Sequence, residues 1–290
     1  MRLTVHDAIA DIARDEWNAL VGDAFPFLRH EFLLAAEQTG CVSEDAGWAP
    51  QHLTLESEGR LLGAMPLYRK EHSWGEFVFD WAWARAYEQA GLSYYPKLVS
   101  AVPFTPAPSR RLLLADADDT ATARTLVDGA ITLAERTDCS SVHVLFPLED
   151  ELPMFRESGL RVRKDCQFHW HNRDYADFDA FLTTFTASKR KKARRDRRRV
   201  SDAGIQFRRL KGADVDVSTW EQVYRLISLT FMRRGSLPYY NLEFFLRIGA
   251  ALPENILIIL AEQHEELIAA AVFLRARRHF TAVTGAATVI

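Results

Sequence analysis

LTLESEGRLLGAMPLYR, residues 53–69, and LIILAEQHEELIAAAVFLR, residues 257–275, are the two stretches whose reading decides the fold. Each is a pair of apolar runs around a short polar turn, SEGR in one and QHEE in the other, which is the pattern of a β-hairpin. A second pair recurs at a similar distance: PFLRHEFLL at 26–34 and PYYNLEFFL at 238–246. With an offset of about 206 to 212 residues, the chain reads as a duplicated unit of helix, helix and hairpin.

Working outward, Ile9, Ile12, Trp17 and Leu20 keep a roughly helical spacing, and Phe32, Leu33 and Ala36 repeat it after Pro26. Residues 118–137 form an amphipathic helix that opens on Asp118 and Asp119 and carries Leu126, Ala130, Leu133 and Ala134 on one face. Residues 141–146 read as a strand, 149–158 as a helix and 161–170 as a further strand. Beyond Tyr175, helices are expected at 178–185, 188–203, 218–233 and 242–252, with a strand at 205–210. This order predicts an α/β (α+β) protein of two tandem domains with mixed central sheets, 1–174 and 175–290. Only residues 277–290 follow the second hairpin, so the second domain is expected to be incomplete. Its hairpin at 256–276 is expected to lack sheet partners, which would make the chain aggregation-prone.

The totals exclude several classes. The chain has 290 residues, a formal net charge of −3 and 48% hydrophobic residues, so it can bury a large core and is not basic overall. Cys41, Cys139 and Cys166 form no CxxC or other metal-like spacing, which fits a reducing compartment. No run of eighteen apolar residues and no apolar core of signal-peptide type is present, so the expectation is a cytoplasmic protein without membrane insertion.

The stretch that draws a functional reading is FVFDWAWARAYEQAGLSYYPKLVSAVPFTPAPSRR, residues 77–111. Aromatics interleaved with a few polar groups line small-molecule pockets, and they also make thick cores. Trp81, Trp83, Tyr87, Tyr94 and Phe104 are candidate pocket walls. Asp80, between Phe79 and Trp81, would have a raised pKa if buried there, which suits a general base; it could equally cap a turn or pair with Arg85. Tyr95, with Tyr94, could donate a proton to a leaving group or simply pack. Lys97 and Arg111 could hold a phosphate or carboxylate, or be solvated.

Taken together, EFLLAAEQTG (31–40), GAMPLYRK (63–70), residues 79–113, FHWHNRDY (168–175) and SKRKKARRDRRRV (188–200) resemble the FemAB-like family, labelled for peptidoglycan biosynthesis or recognition, within the GNAT acyltransferase superfamily. The resemblance implies paired GNAT-like domains and transfer of an acyl or aminoacyl group to an amine. Acyl-CoA or aminoacyl-tRNA would be the donor, and a small-molecule amine or cell-wall precursor the acceptor; tRNA would be a partner in the second case. Two departures stand out. Similar proteins carry PVTG where this chain has Pro106-Ala107-Pro108-Ser109. After Phe280 they continue with Tyr-Gly-Arg-Tyr-Trp-Gly, and codons that encode 280–286 can spell that motif in a shifted frame, so an early end by frameshift is expected. The gene sequence past the Phe280 codon checks this.

Three features remain. No glycine-rich pyrophosphate loop is visible. His169 and His171 alternate along the strand read at 161–170; an HxH pair can bind metal, but no third ligand is suggested, so no metal is expected, and His169 is a candidate substrate contact or a solvent-facing histidine. From Lys189 to Arg199, nine of eleven residues are Lys or Arg. That run reads as a solvated basic helix, a nucleic-acid arm, or, through Lys189 and Arg190, a site for substrate phosphates, with Asp174, Asp177 and Asp179 as partial neutralisers. The reading is an N-acyltransferase or aminoacyltransferase with its site between the repeats. The alternatives are a recognition protein for anionic cell-wall precursors or a nucleic-acid-binding protein.

Overall fold

The computed structural model describes residues 1–22, 25–276 and 280–287. The first half is built on two four-stranded sheets. In one, β1 (Arg2–His6), β3 (His52–Ser57), β4 (Arg60–Met65) and β7 (Leu113–Leu114) pair antiparallel in the order β1-β3-β4-β7. In the other, β2 (Trp48–Pro50), β5 (Tyr68–Lys70), β6 (Lys97–Ser100) and β8 (Val142–Val144) run β2-β5-β6-β8, with β6 and β8 parallel. Residues 61–69, read as one strand, are divided between the sheets. Pro66 has no N–H for a ladder, so β4 stops at Met65 and β5 starts at Tyr68. The amide of Gln51 bonds the carbonyl of Leu67 at 2.8 Å and stitches the two sheets at that corner.

Helices cover both faces. α1 (Arg14–Val21) and α2 (His30–Gln38) bury Trp17 and Phe32, and the indole of Trp17 donates to the carbonyl of Leu28 at 2.7 Å. Behind α3 (Trp81–Gln89), α4 (Thr120–Arg136) crosses the other face as its 3.6-residue pattern foretells. Asp119 caps it by accepting from the Thr122 amide at 2.9 Å. Its Leu126, Val127 and Ala130 pack with Leu53, Leu55, Met65 and Leu98, each large one stabilising by about 1.5–3 kcal/mol. The approach is close: a Cβ on Gly63 of β4 would meet Thr122 at 2.7 Å. α5 (Leu152–Glu157) completes this layer with Phe155.

The strand expected at 161–170 does not form. Residues 161–174 pair with no sheet and are exposed. Their alternation of aromatic and polar residues has the period of a strand, but no neighbouring strand offers its hydrogen bonds, so period alone misleads.

The second half holds α6 (Phe178–Leu182), α7 (Ala187–Asp202), α8 (Val217–Met232) and α9 (Leu242–Ala251). Its sheet is antiparallel, in the order β12-β11-β10-β9, from β9 (Gln206–Lys211), β10 (Ile256–Gln263), β11 (Glu266–Arg275) and β12 (Phe280–Ala287). The hairpin expected to lack partners is therefore flanked on both sides, Ile258 opposite Leu210 and Ala271 opposite Gly285. The departure from the family pattern, after Phe280, falls on β12.

One apolar core contains side chains of both halves, from Ile9 and Trp17 to Val272 and Leu274. At the seam, the rings of Phe32 and Phe244 meet edge to face at 5.3 Å. The Tyr240 hydroxyl donates to the carbonyl of Pro103 at 2.8 Å, and the Asn241 amide to that of Thr39 at 2.8 Å.

Candidate functional site

The loop between β5 and α3 brings acids under the start of β6, and Lys97 is the point they gather on. Its ammonium donates to Ser73 Oγ at 2.9 Å, Glu76 Oε2 at 2.9 Å and Asp80 Oδ2 at 2.6 Å. Tyr94 donates its hydroxyl to the same Asp80 oxygen at 2.6 Å. Ser73 Oγ lies 2.8 Å from the hydroxyl of half-buried Tyr95. Lys97, Glu76 and Asp80 are all buried, and Glu76 Oε1 and Asp80 Oδ1 have no hydrogen-bond partner among the described residues. A buried charge survives only when paired, and three acceptors around one ammonium meet that condition.

These contacts set the titration of each group. Burial pushes the Asp80 carboxyl up, but the bonds from Lys97, Ser73 and Tyr94 outweigh it and hold the group at about 2. The expected raised pKa is thus reversed. Asp80 neither caps α3 through its side chain nor pairs with Arg85. A carboxylate held ionised this firmly is a weak base and a strong anchor for Lys97. Burial raises Glu76 despite Lys97, and raises the Tyr94 phenol, to which the bond to Asp80 adds.

Two further groups face the cluster. Lys70 sits over the Trp48 ring at 3.7 Å, and burial, partly offset by Glu76, brings its ammonium down to about 7. His143 of β8 lies 2.9 Å from Ser141 Oγ, and burial with the nearby Lys97 charge lowers it to about 4, so its ring is neutral at pH 7.

Of the residues singled out in the sequence, Asp80, Tyr94, Tyr95 and Lys97 come together. Lys70, Ser73, Glu76 and His143 were missed. Glu76 offered the signal of a carboxylate at the edge of the aromatic stretch and His143 that of a lone His inside the apolar run SSVHVLF, whereas Lys70, flanked by Arg69 and Glu71, offered none. Trp81, Trp83 and Tyr87 lie on α3, which buries no residue. Trp81 packs on Trp74 at 5.3 Å, Tyr87 on Tyr94 at 5.1 Å, and the Arg163 guanidinium stands 5.9 Å over Trp83. Phe104 belongs instead to the seam, parallel to Tyr239 at 4.9 Å.

Arg111 is corrected outright. It is fully buried, and its guanidinium donates to the carbonyls of Leu145 (2.8 Å), Ser109 (3.2 Å), Arg110 and Ala107 and to Ser109 Oγ. Full burial and these bonds keep the guanidinium from a ligand; Arg111 locks loop 107–111 to the end of β8. Burial lowers it to about 10, still a cation at pH 7.

His169 is exposed, 3.1 Å from Gln167 Oε1 and parallel to His171 at 6.2 Å. Among the described residues no group of His, Cys, Asp and Glu could hold a metal, and no helix is long and apolar enough to cross a membrane. On α7, Lys189 is exposed and Arg190 donates to the carbonyl of Phe185 at 3.1 Å. Arg194 pairs with Asp179 at 2.9 Å and Arg197 covers Phe178 at 4.1 Å. Among the described residues, no hydrogen bond, ion pair or ring contact joins α7 to the Lys97 cluster.

Helices pack on an antiparallel and a mixed sheet in the first half and on an antiparallel sheet in the second, with one core shared by both. The fold is shared with the crystal structure of FemX, at 14% identity and a TM-score of 0.51 over 99% of this chain and 81% of that one. A tandem GNAT protein from the clavulanic acid biosynthesis pathway matches 99% of this chain and 79% of its own at 11% identity, with a TM-score of 0.43. An aminoglycoside 6'-N-acetyltransferase from Acinetobacter haemolyticus matches 60% of this chain and all of its own at 12% identity, with a TM-score of 0.38. A search of curated proteins finds no match. The FemAB-like family, described as peptidoglycan biosynthesis/recognition, matches residues 8–281. The chain belongs to that family.

Proposed function

We propose that this chain transfers an acyl or aminoacyl group to the amine of a cell-wall precursor, with Tyr95 as the proton donor at the reacting centre. The observation that carries the reading is a chain of hydrogen bonds from a buried ammonium to a half-buried phenol. Lys97 has protons only to give, so Ser73 Oγ accepts from it, and the same oxygen lies 2.8 Å from the Tyr95 hydroxyl, where either oxygen can donate. When Ser73 donates, the Tyr95 proton is free to point outward, polarised by the ammonium behind it. In the transfer, the amine nitrogen forms a bond to the acyl carbon and gives up a proton, the bond to sulfur or oxygen breaks, and the departing atom takes up a proton. A phenol aimed at that atom or at the carbonyl oxygen serves this chemistry. Asp80 and Glu76 hold Lys97 in place.

The donor is acyl-CoA or aminoacyl-tRNA. The phosphates of either could be met by α7, whose Lys189, Lys191, Lys192, Arg198 and Arg199 form no ion pair among the described residues. That helix also supports a second reading, a protein that binds anionic precursors or nucleic acid without turnover.

The test is a transfer assay with acyl-CoA and aminoacyl-tRNA donors against nucleotide-linked precursors. Tyr95→Phe should lower kcat about 10²–10⁴-fold with little change in KM, the range of one general acid. Turnover within twofold of the parent removes Tyr95 from the chemistry. Precursor binding with no transfer from any donor favours the second reading.

A further inference from the structure

The seam between the two halves holds a cleft of about 410 Å³ that the cluster does not use. Its volume is in the range of small-molecule sites. The wall is a set of tiled rings from distant parts of the chain. Tyr239 lies parallel to Phe104 at 4.9 Å and edge-on to Phe231 at 5.5 Å and Phe77 at 5.9 Å. Phe77 and Phe104 have φ of 61° and 56°, a left-handed backbone that bulky residues seldom adopt. Strain of that kind persists where surrounding structure imposes it, and it concentrates at ligand sites.

The polar side of the cleft has one cation among the described residues. The hydroxyl of Thr230 donates to the carbonyl of Leu226 at 3.0 Å and that of Ser236 to Phe231 at 3.3 Å, so both protons are spent. Arg234, exposed and lining the same cleft, has no partner among the described residues, and no acid among them lines the cleft. An apolar wall with one unpaired cation and no anion selects a ligand of matching polarity.

We propose that the seam cleft binds an amphiphilic anion, a linear aliphatic chain against the aromatic wall with its anionic head on Arg234. Phe77 directly follows Glu76, so an occupant of the cleft lies next to the Lys97 cluster in the chain. This site stands without the transfer reading; only the further step, that its occupant is a substrate of the transfer, rests on it.

Titration calorimetry of the full 290-residue chain with decanoate, decanol and decyltrimethylammonium tests the proposal. Decanoate should bind at least about tenfold more tightly than the other two, the effect of one charge-assisted hydrogen bond. Arg234→Gln should remove that preference while leaving decanol unchanged. Thr230→Trp should fill the cleft and abolish decanoate binding; if that variant does not melt cooperatively, Ser236→Trp at the mouth takes its place. Equal binding of the three amphiphiles, decanoate binding that survives the filled cleft, or none to a cooperatively folded parent overturns the proposal. Tyr95→Phe should keep decanoate binding whether or not it loses transfer, so the two readings fail separately.

Discussion

Lys97 and the cations of α7 carry similar charge in opposite surroundings. Lys97 is fully buried and gives its protons to Ser73, Glu76 and Asp80. α7 buries no residue, and seven of its nine cations form no ion pair among the described residues. The long run of charge that dominates the sequence is the one the fold does not need. A single lysine between two prolines, Pro96 and Pro103, is the one it is built around. The difference is solvent: water neutralises an exposed charge at little cost, whereas a buried one must be answered by the protein.

The sharpest way to break this comparison is Lys97→Met. It leaves the carboxylates of Glu76 and Asp80 buried without their cation and should cost about 3–5 kcal/mol in urea unfolding. A loss below about 1 kcal/mol would mean that the cluster is open to water.

Next comes the pH dependence. Burial takes the Lys70 ammonium from 10.5 down to about 7, so between these values the unfolded chain binds the extra proton. Stability contributed by this group therefore rises with pH through that window, and its penalty is fully present below about 7. From about pH 7 to about pH 9 the gain should approach 2–3 kcal/mol, and Lys70→Met should flatten the curve. A parent curve as flat as that of the variant contradicts the burial of this amine.

The smallest effect belongs to α7. Lys191→Glu with Lys192→Glu should leave the unfolding free energy within about 0.5 kcal/mol of the parent, yet lower the salt needed to elute the chain from heparin. A large loss of stability would show that the helix is held by charge after all.

Most of the fold was legible because helical and hairpin periods are local signals. The helix of residues 118–137 and both hairpins fall within a few positions of their expected bounds. The strand at 161–170 was not legible, since alternation says nothing about whether a partner strand exists. Nor could composition show that β12 would pair with β11, because its sequence is small and polar rather than β-branched throughout. At the site, aromatic density pointed to Asp80, Tyr94, Tyr95 and Lys97. It pointed equally to Arg111, whose burial against four carbonyls no sequence spacing encodes. The sign of the Asp80 shift was lost for the same reason: burial was foreseeable, the ammonium 2.6 Å away was not.

The edge-to-face contact of Phe32 with Phe244 has a history written into it. These two residues occupy the same position of the duplicated unit, PFLRHEFLL against PYYNLEFFL. A residue that touches its own counterpart is the signature of an isologous interface, the kind that forms around a two-fold axis between identical subunits. Joining the copies in one chain turns such an encounter from a bimolecular event into an intramolecular one, with assembly independent of protein concentration. It also frees each side of the axis to change alone, so that one copy could keep a symmetric phenylalanine while the other became the wall of an asymmetric cleft.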